Sequence, residues 1–235
     1  MHARNRTIIE IAHLLGRSPS SIAMKLVNFA ALDPEQRARG IRGLAGYSRA
    51  DAKIWSEFQD NWEQMTLLSE KKLSDLRVGQ VGKSESEIDS SDLEDVSITE
   101  VERLITIRTM QGVFRKMVLA AYDRRCCITG MPIKEILVAS HILPWAEFPA
   151  ERLNPRNGLC LAANFDRAFD RGLISFDSSL RLILSPALKR FLPNAAVDTE
   201  FASREGQSLR FPERFAPDAE FLAYHRSQVF RSSPS

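Results

Sequence analysis

The chain has 235 residues, 44% of them hydrophobic, with a formal net charge of +2. That is an ordinary globular composition, with room for one large domain or two small ones. No uninterrupted apolar run approaches a membrane span, residues 1–6 lack the apolar core of a secretory signal, and three cysteines without paired spacing exclude a disulfide framework.

The modest net charge conceals segregation. Residues 1–72 hold 11 Lys/Arg against 8 Asp/Glu, residues 73–100 hold 2 against 8, and residues 101–235 hold 19 against 14. Two basic parts joined by an acidic connector suit a protein that approaches a polyanion. The reading is a soluble, cytoplasmic protein with no membrane partner.

Residues 1–70 predict a helical module. Ile8, Ile11, Ala12 and Leu15 repeat at helical spacing until Gly16 breaks the pattern. Ser18 and Pro19 then form an N-cap and first-turn proline for a second helix carrying Ile22, Ala23, Leu26 and Phe29 on one side. Two short helices around a glycine make a helix-turn-helix-like pair whose second member could lie in a major groove, with a plain helical hairpin as the competing reading. Residues 16–26 also resemble the third helix of Myb-like domains. A third helix, over residues 51–68, completes the module with Ile54, Trp55, Phe58 and Trp62.

Residues 71–100 read as a flexible acidic linker, because Ser84-Glu85-Ser86-Glu87 and Asp89-Ser90-Ser91-Asp92 offer nothing to bury. Residues 101–235 form the second domain. An amphipathic helix over 108–122 leads to a turn at Thr129-Gly130, a strand over 136–142 and an irregular loop through Pro144, Trp145 and Pro155. A second strand over 158–162 follows, then a short helix from Asn164, as its cap, to Gly172, then a hairpin over 173–184. The fold class is α+β. Trp145 reads as a core wedge, and Tyr224 with His225 as docking for the tail.

One constellation carries chemistry. Hydrolysis of a phosphodiester needs an activated water, positive charge at the phosphate and help for the leaving oxygen. His141, at a strand end, is the side chain best matched to taking a proton near neutral pH. Asp166 and Asp170 lie four apart on the short helix and face the same way. Such a pair suits a hard ion, Mg²⁺ first and Mn²⁺ next. Asn157 can hydrogen-bond the backbone of the loop that carries His141 and hold the imidazole in register. Arg156 and Arg167 are the first candidates for phosphate contact, with Arg124, Arg125 and Arg171 behind them. Each has a bland competitor: the carboxylates could pair with arginines on a solvated face, and Asn157-Gly158 could be a turn.

Four motifs carry a resemblance over residues 114–176: Cys-Ile-Thr-Gly from 127, Ala-Ser-His-Ile-Leu-Pro-Trp from 139, Asn-Pro-Arg-Asn-Gly-Leu from 154 and Phe-Asp-Arg-Gly-Leu-Ile-Ser-Phe from 169. Their order resembles the HNH (beta-beta-alpha metal) endonucleases, closest to the restriction-type branch. Ala-Met-Lys-Leu-Val-Asn-Phe-Ala-Ala-Leu-Asp-Pro, from 23, is also similar to such proteins. The resemblance implies a metal-dependent DNA endonuclease with His141 as general base and Asn157 as the motif asparagine. Asp166 takes the position of the family's last metal-binding residue, and Asp170 that of an additional ligand. Its partner would be double-stranded DNA, and a homodimer would supply two active sites for a double-strand cut.

Two departures stand out. Ser140 occupies a position often filled by Asp or His, and no cysteine pairs are present, so no structural zinc is expected. The alternatives are a non-catalytic DNA-binding regulator with a decayed HNH fold, and a nonspecific toxin nuclease.

Overall fold

The computed structural model describes residues 3–38, 40, 46–81 and 98–232. The chain divides into two compact units, Met1–Thr109 and Met110–Ser235. Among the described residues no helix is long and apolar enough to cross a membrane.

The first unit is helical, and its helix starts follow from side-chain caps. Asn5 accepts hydrogen bonds from the amides of Thr7 and Ile8 and opens α1 (Arg6–Leu14). Gly16 turns the chain in the left-handed region, φ +59°. Ser18 then accepts from the Ser21 amide, and Pro19 supplies a preset first turn for α2 (Pro19–Leu32). After the short α3 (Pro34–Ala38), Ser48 and Asp51 form a reciprocal capping box at the head of α4 (Arg49–Asp60). Asp51 is buried, and Lys25 on α2 donates to both its oxygens, at 2.9 and 3.1 Å. That contact, with the Ser48 amide, holds the Asp51 carboxyl below the usual range.

The predicted single helix over 51–68 is two. Asn61, at φ −140° and ψ 54°, breaks the helical path, and α5 (Trp62–Val81) begins at the next residue. Across the break, Phe58 and Trp62 meet edge to face, at 5.7 Å between centroids. α5 and α6 (Ile98–Ala121) run into both ends of the span read as a linker, and residues 82–97, with the acidic clusters, lie outside the described residues.

The second unit has mixed α and β structure. A 3-10 turn at Lys134–Ile136 occupies the start of the predicted strand, leaving β1 (Leu137–His141) paired antiparallel with β2 (Gly158–Ala162). Every residue of β2 is buried, and Leu159, Cys160 and Leu161 are fully so. α7 (Ala163–Asp170) follows directly. Its start has no side-chain cap: Asn164, predicted to be one, is inside the helix and donates instead to Glu200 at 3.1 Å. Phe165 and Phe169, four apart, sink one face of α7 into the core.

The helix ends as Gly172 predicts. The Gly172 amide bonds the Phe169 carbonyl and the Leu173 amide the Ala168 carbonyl, each at 2.8 Å, with Gly172 left-handed at φ +65°. β3 (Ile174–Phe176) and β4 (Leu182–Leu184) form the predicted hairpin. Short helices follow at α8 (Pro186–Lys189), α9 (Ala195–Glu200) and α10 (Ala219–Tyr224), and the last continues as a π-helical turn, His225–Val229. Phe114, Phe165, Phe169, Phe176, Leu182 and Leu222 fill the core, each fully buried side chain contributing about 1.5–3 kcal/mol. All three cysteines are buried and free.

Candidate active site

β1 delivers His141 at its last residue, directly across the ladder from Gly158. That glycine is demanded by packing: a Cβ there would run into Val118 and the Phe114 ring. Its absence lets α6 come close enough for Phe114 to stack on His141, 3.6 Å between centroids and 13° from parallel. His141 Nε2 lies 3.0 Å from the Arg152 carbonyl oxygen. A carbonyl only accepts, so Nε2 carries the proton and Nδ1 of the neutral ring keeps its lone pair. Burial lowers the His141 pKa, partly offset by the Arg152 bond. The ring is therefore neutral at physiological pH.

The loop beyond His141 is stapled by Asn157. This buried side chain accepts from the Leu143 amide at 2.8 Å and donates to the Glu151 carbonyl at 3.1 Å, while its own carbonyl accepts from Ile142. Losing such buried bonds costs roughly 1–3 kcal/mol each. Arg152 closes the same loop. Its Nε donates to the Trp145 carbonyl at 2.9 Å and its guanidinium lies 5.2 Å from the Trp145 ring. Trp145, predicted as a core wedge, is half-buried and meets His141 edge-on, at 5.2 Å.

His141, Asp166 and Asp170 line one open cleft of ≈ 570 Å³. Ser140, Trp145, Arg167, Arg171 and His225 also border it. Arg156 does not: its guanidinium pairs with Asp218 at 3.4 Å. Burial raises the Asp166 carboxyl pKa, opposed by the Ser140 hydroxyl and Arg167. Burial also raises Asp170, and the negative charge of Asp166 adds to it, opposed by Arg167 and Arg171.

The donor set fits a hard divalent cation. Two carboxylates one helical turn apart supply oxygen ligands and charge, and the buried Ser140 Oγ faces Asp166 without a well-formed hydrogen bond of its own. Among the described residues no group of three or more His, Cys, Asp or Glu side chains could hold a metal ion. An ion here would rest on Asp166 and Asp170, with water or substrate oxygens completing its shell, the usual habit of Mg²⁺.

Sequence reasoning missed His225, Arg152 and Phe114 as parts of this site. His225 is buried, stacks on Phe169 at 3.6 Å and is bonded at both ring nitrogens. The residues of α7 and β3 that it touches lie 56 and 50 positions away, respectively. No local signal in the mixed tail sequence marks it.

Residues 126–177 match the family model described as HNH endonuclease. The second unit thus carries an HNH endonuclease domain over that segment. Among solved structures the chain is similar to a modification dependent TagI restriction endonuclease, at 21% identity and a TM-score of 0.35. That likeness covers 49% of this chain and 37% of the other. No curated protein matches the chain.

Proposed function

We propose that this protein is a divalent-metal-dependent DNA endonuclease of the restriction type, acting on duplex DNA as a homodimer. The observation that carries the reading is the neutral His141, with its Nδ1 lone pair, on the same cleft as the Asp166–Asp170 pair. His141 Nδ1 takes a proton from water, and the resulting hydroxide attacks phosphorus in line with the departing 3′ oxygen. The 3′ oxygen takes a proton from solvent as it leaves, so the products are a 5′-phosphate and a 3′-hydroxyl. Asp166 and Asp170 would hold Mg²⁺, or Mn²⁺, which would supply positive charge for the phosphate and the leaving oxygen. Asn157 keeps the loop in register so that the Arg152 carbonyl fixes the His141 tautomer. Arg167 and Arg171, at the cleft, make the phosphate contacts. Arg156 is engaged by Asp218 instead.

In the first unit, the proposed groove-reading element is α2, entered through the left-handed Gly16 and capped by Ser18.

The test is plasmid cleavage by the purified full chain. Chelation with EDTA should stop cutting and added Mg²⁺ or Mn²⁺ should restore it. Cutting that persists in chelator rules out the metal role. Discrete fragments support a restriction-type enzyme, whereas complete degradation of any plasmid points to a nonspecific nuclease.

A further inference from the structure

The end of α7 that carries Asp170 is gripped from outside the family-matched segment. His225 Nε2 donates to the Phe169 carbonyl at 3.1 Å, and its ring lies on Phe169 at 3.6 Å and 5° from parallel. The Phe169 carbonyl is one of those left open at a helix C-terminus, and it already accepts from Gly172. His225 takes its second lone pair. Since Nε2 carries the proton, Nδ1 is the acceptor for the Ser175 hydroxyl, at 2.9 Å.

Further along, the Arg231 amide donates to the Gly172 carbonyl at 3.0 Å, and Arg226 Nη1 donates to the Phe176 carbonyl at 2.9 Å. A Cβ on Gly172 would collide with the Val229 carbonyl. Gly172 is therefore required twice, by its left-handed backbone and by the passing tail.

These contacts do more than fill volume. A phenylalanine at 225 would stack on Phe169 equally well and would need no partners. A buried histidine bonded at both nitrogens has one orientation, and it transmits that orientation to the backbone carbonyl just before Asp170. The π-helical turn His225–Val229 keeps this side chain and the Val229 carbonyl against the same stretch of chain.

We infer that residues 225–231 are a working part of the nuclease site, a clasp in which His225 positions the α7 carboxylates for their divalent cation. The inference rests on the function proposed above. His225 is a positioning residue: it acts through Phe169 and touches no reacting atom.

The test compares the full-length wild type with H225A, H225Q and S175A. It measures Mg²⁺ uptake by the ion-free protein calorimetrically, the Mg²⁺ needed for half-maximal cleavage, and thermal unfolding in EDTA. H225A should weaken Mg²⁺ uptake by roughly 10-fold, the scale for groups that orient metal ligands, with a matching rise in the half-maximal Mg²⁺ and recovery of most of the rate in excess ion. H225Q, which keeps an N–H for the Phe169 carbonyl, should recover most of the affinity. S175A should fall between H225Q and H225A.

A folded H225A with wild-type uptake and half-maximal point overturns the clasp, as does a change in unfolding temperature alone. If H225A does not fold, S175A decides: no weakening of uptake overturns the inference. A wild type that neither takes up Mg²⁺ nor cuts DNA fails the nuclease reading itself. Wild-type uptake with unaltered variants fails only the clasp.

Discussion

His141 and His225 border the same cleft in nearly the same pose. Each lies flat on a phenylalanine at 3.6 Å, and each gives its Nε2 proton to a backbone carbonyl. They differ at the other nitrogen. Nδ1 of His225 is taken by the Ser175 hydroxyl, whereas Nδ1 of His141 has no hydrogen-bond partner among the described residues. They differ in depth as well, since His225 is almost wholly buried and His141 is only half-buried. Stacking and a carbonyl partner orient an imidazole in both cases. On the proposed mechanism, what separates a base from a brace is whether the second nitrogen is left for chemistry.

The largest effect expected to separate them is on rate. H141A should lose roughly 10²- to 10⁴-fold in cleavage at saturating Mg²⁺, the usual worth of a positioned general base, while gel shift shows DNA binding nearly intact. Near-normal turnover by H141A would dissolve the contrast between the two histidines. H225Q under the same conditions should cut far faster than H141A.

A second effect belongs to His225 alone and concerns stability. Burial, aided by the nearby Arg226 charge and opposed by the Phe169 bond, lowers its pKa to about 4 in the folded chain. The unfolded chain titrates near the ordinary value of about 6.5. The folded state therefore binds fewer protons between these values. Its stability from this group is whole above about pH 6.5 and is lost as pH falls toward about 4, by at most roughly 3 kcal/mol. Urea midpoints across that window should fall for the wild type and flatten in H225Q. Parallel curves would show that another group governs acid unfolding.

The smallest effect is a shift in the pH profile. Protonating His141 removes the base, so cleavage falls as pH drops through its pKa, which burial has lowered. With Mg²⁺ saturating, so that the carboxylates stay ionised, the acid limb should bend below the ordinary histidine range. A bend above that range would mean that His141 is stabilised in its charged form, against the neutral ring argued here.

Local signals located most of the elements. Ser18-Pro19 marks the start of α2, Gly172 marks the end of α7, and the apolar runs at 158–162 and 173–184 mark β2 and the hairpin. Such signals work because caps, glycine turns and alternation are decided within a few residues. Where they misled, a tertiary partner outbid the local preference. Asn164 makes a good cap in isolation, but α7 starts straight from β2 and Asn164 reaches Glu200 instead. The 51–68 periodicity suits one helix, but the path bends at Asn61.

By itself the sequence determined the chemical inventory: one histidine at a strand end, two aspartates a helical turn apart, and an asparagine sixteen residues after the histidine. Side-chain spacing along a strand or helix decides such facts, so they are legible without coordinates. Only the tertiary structure decided which ring nitrogen of His141 keeps a lone pair, that Ser140 faces Asp166, and that a tail some fifty residues downstream braces the helix carrying the carboxylates. Those facts depend on backbone carbonyls and buried surfaces contributed by elements far apart in the chain. No local pattern encodes which distant segment will pack against them.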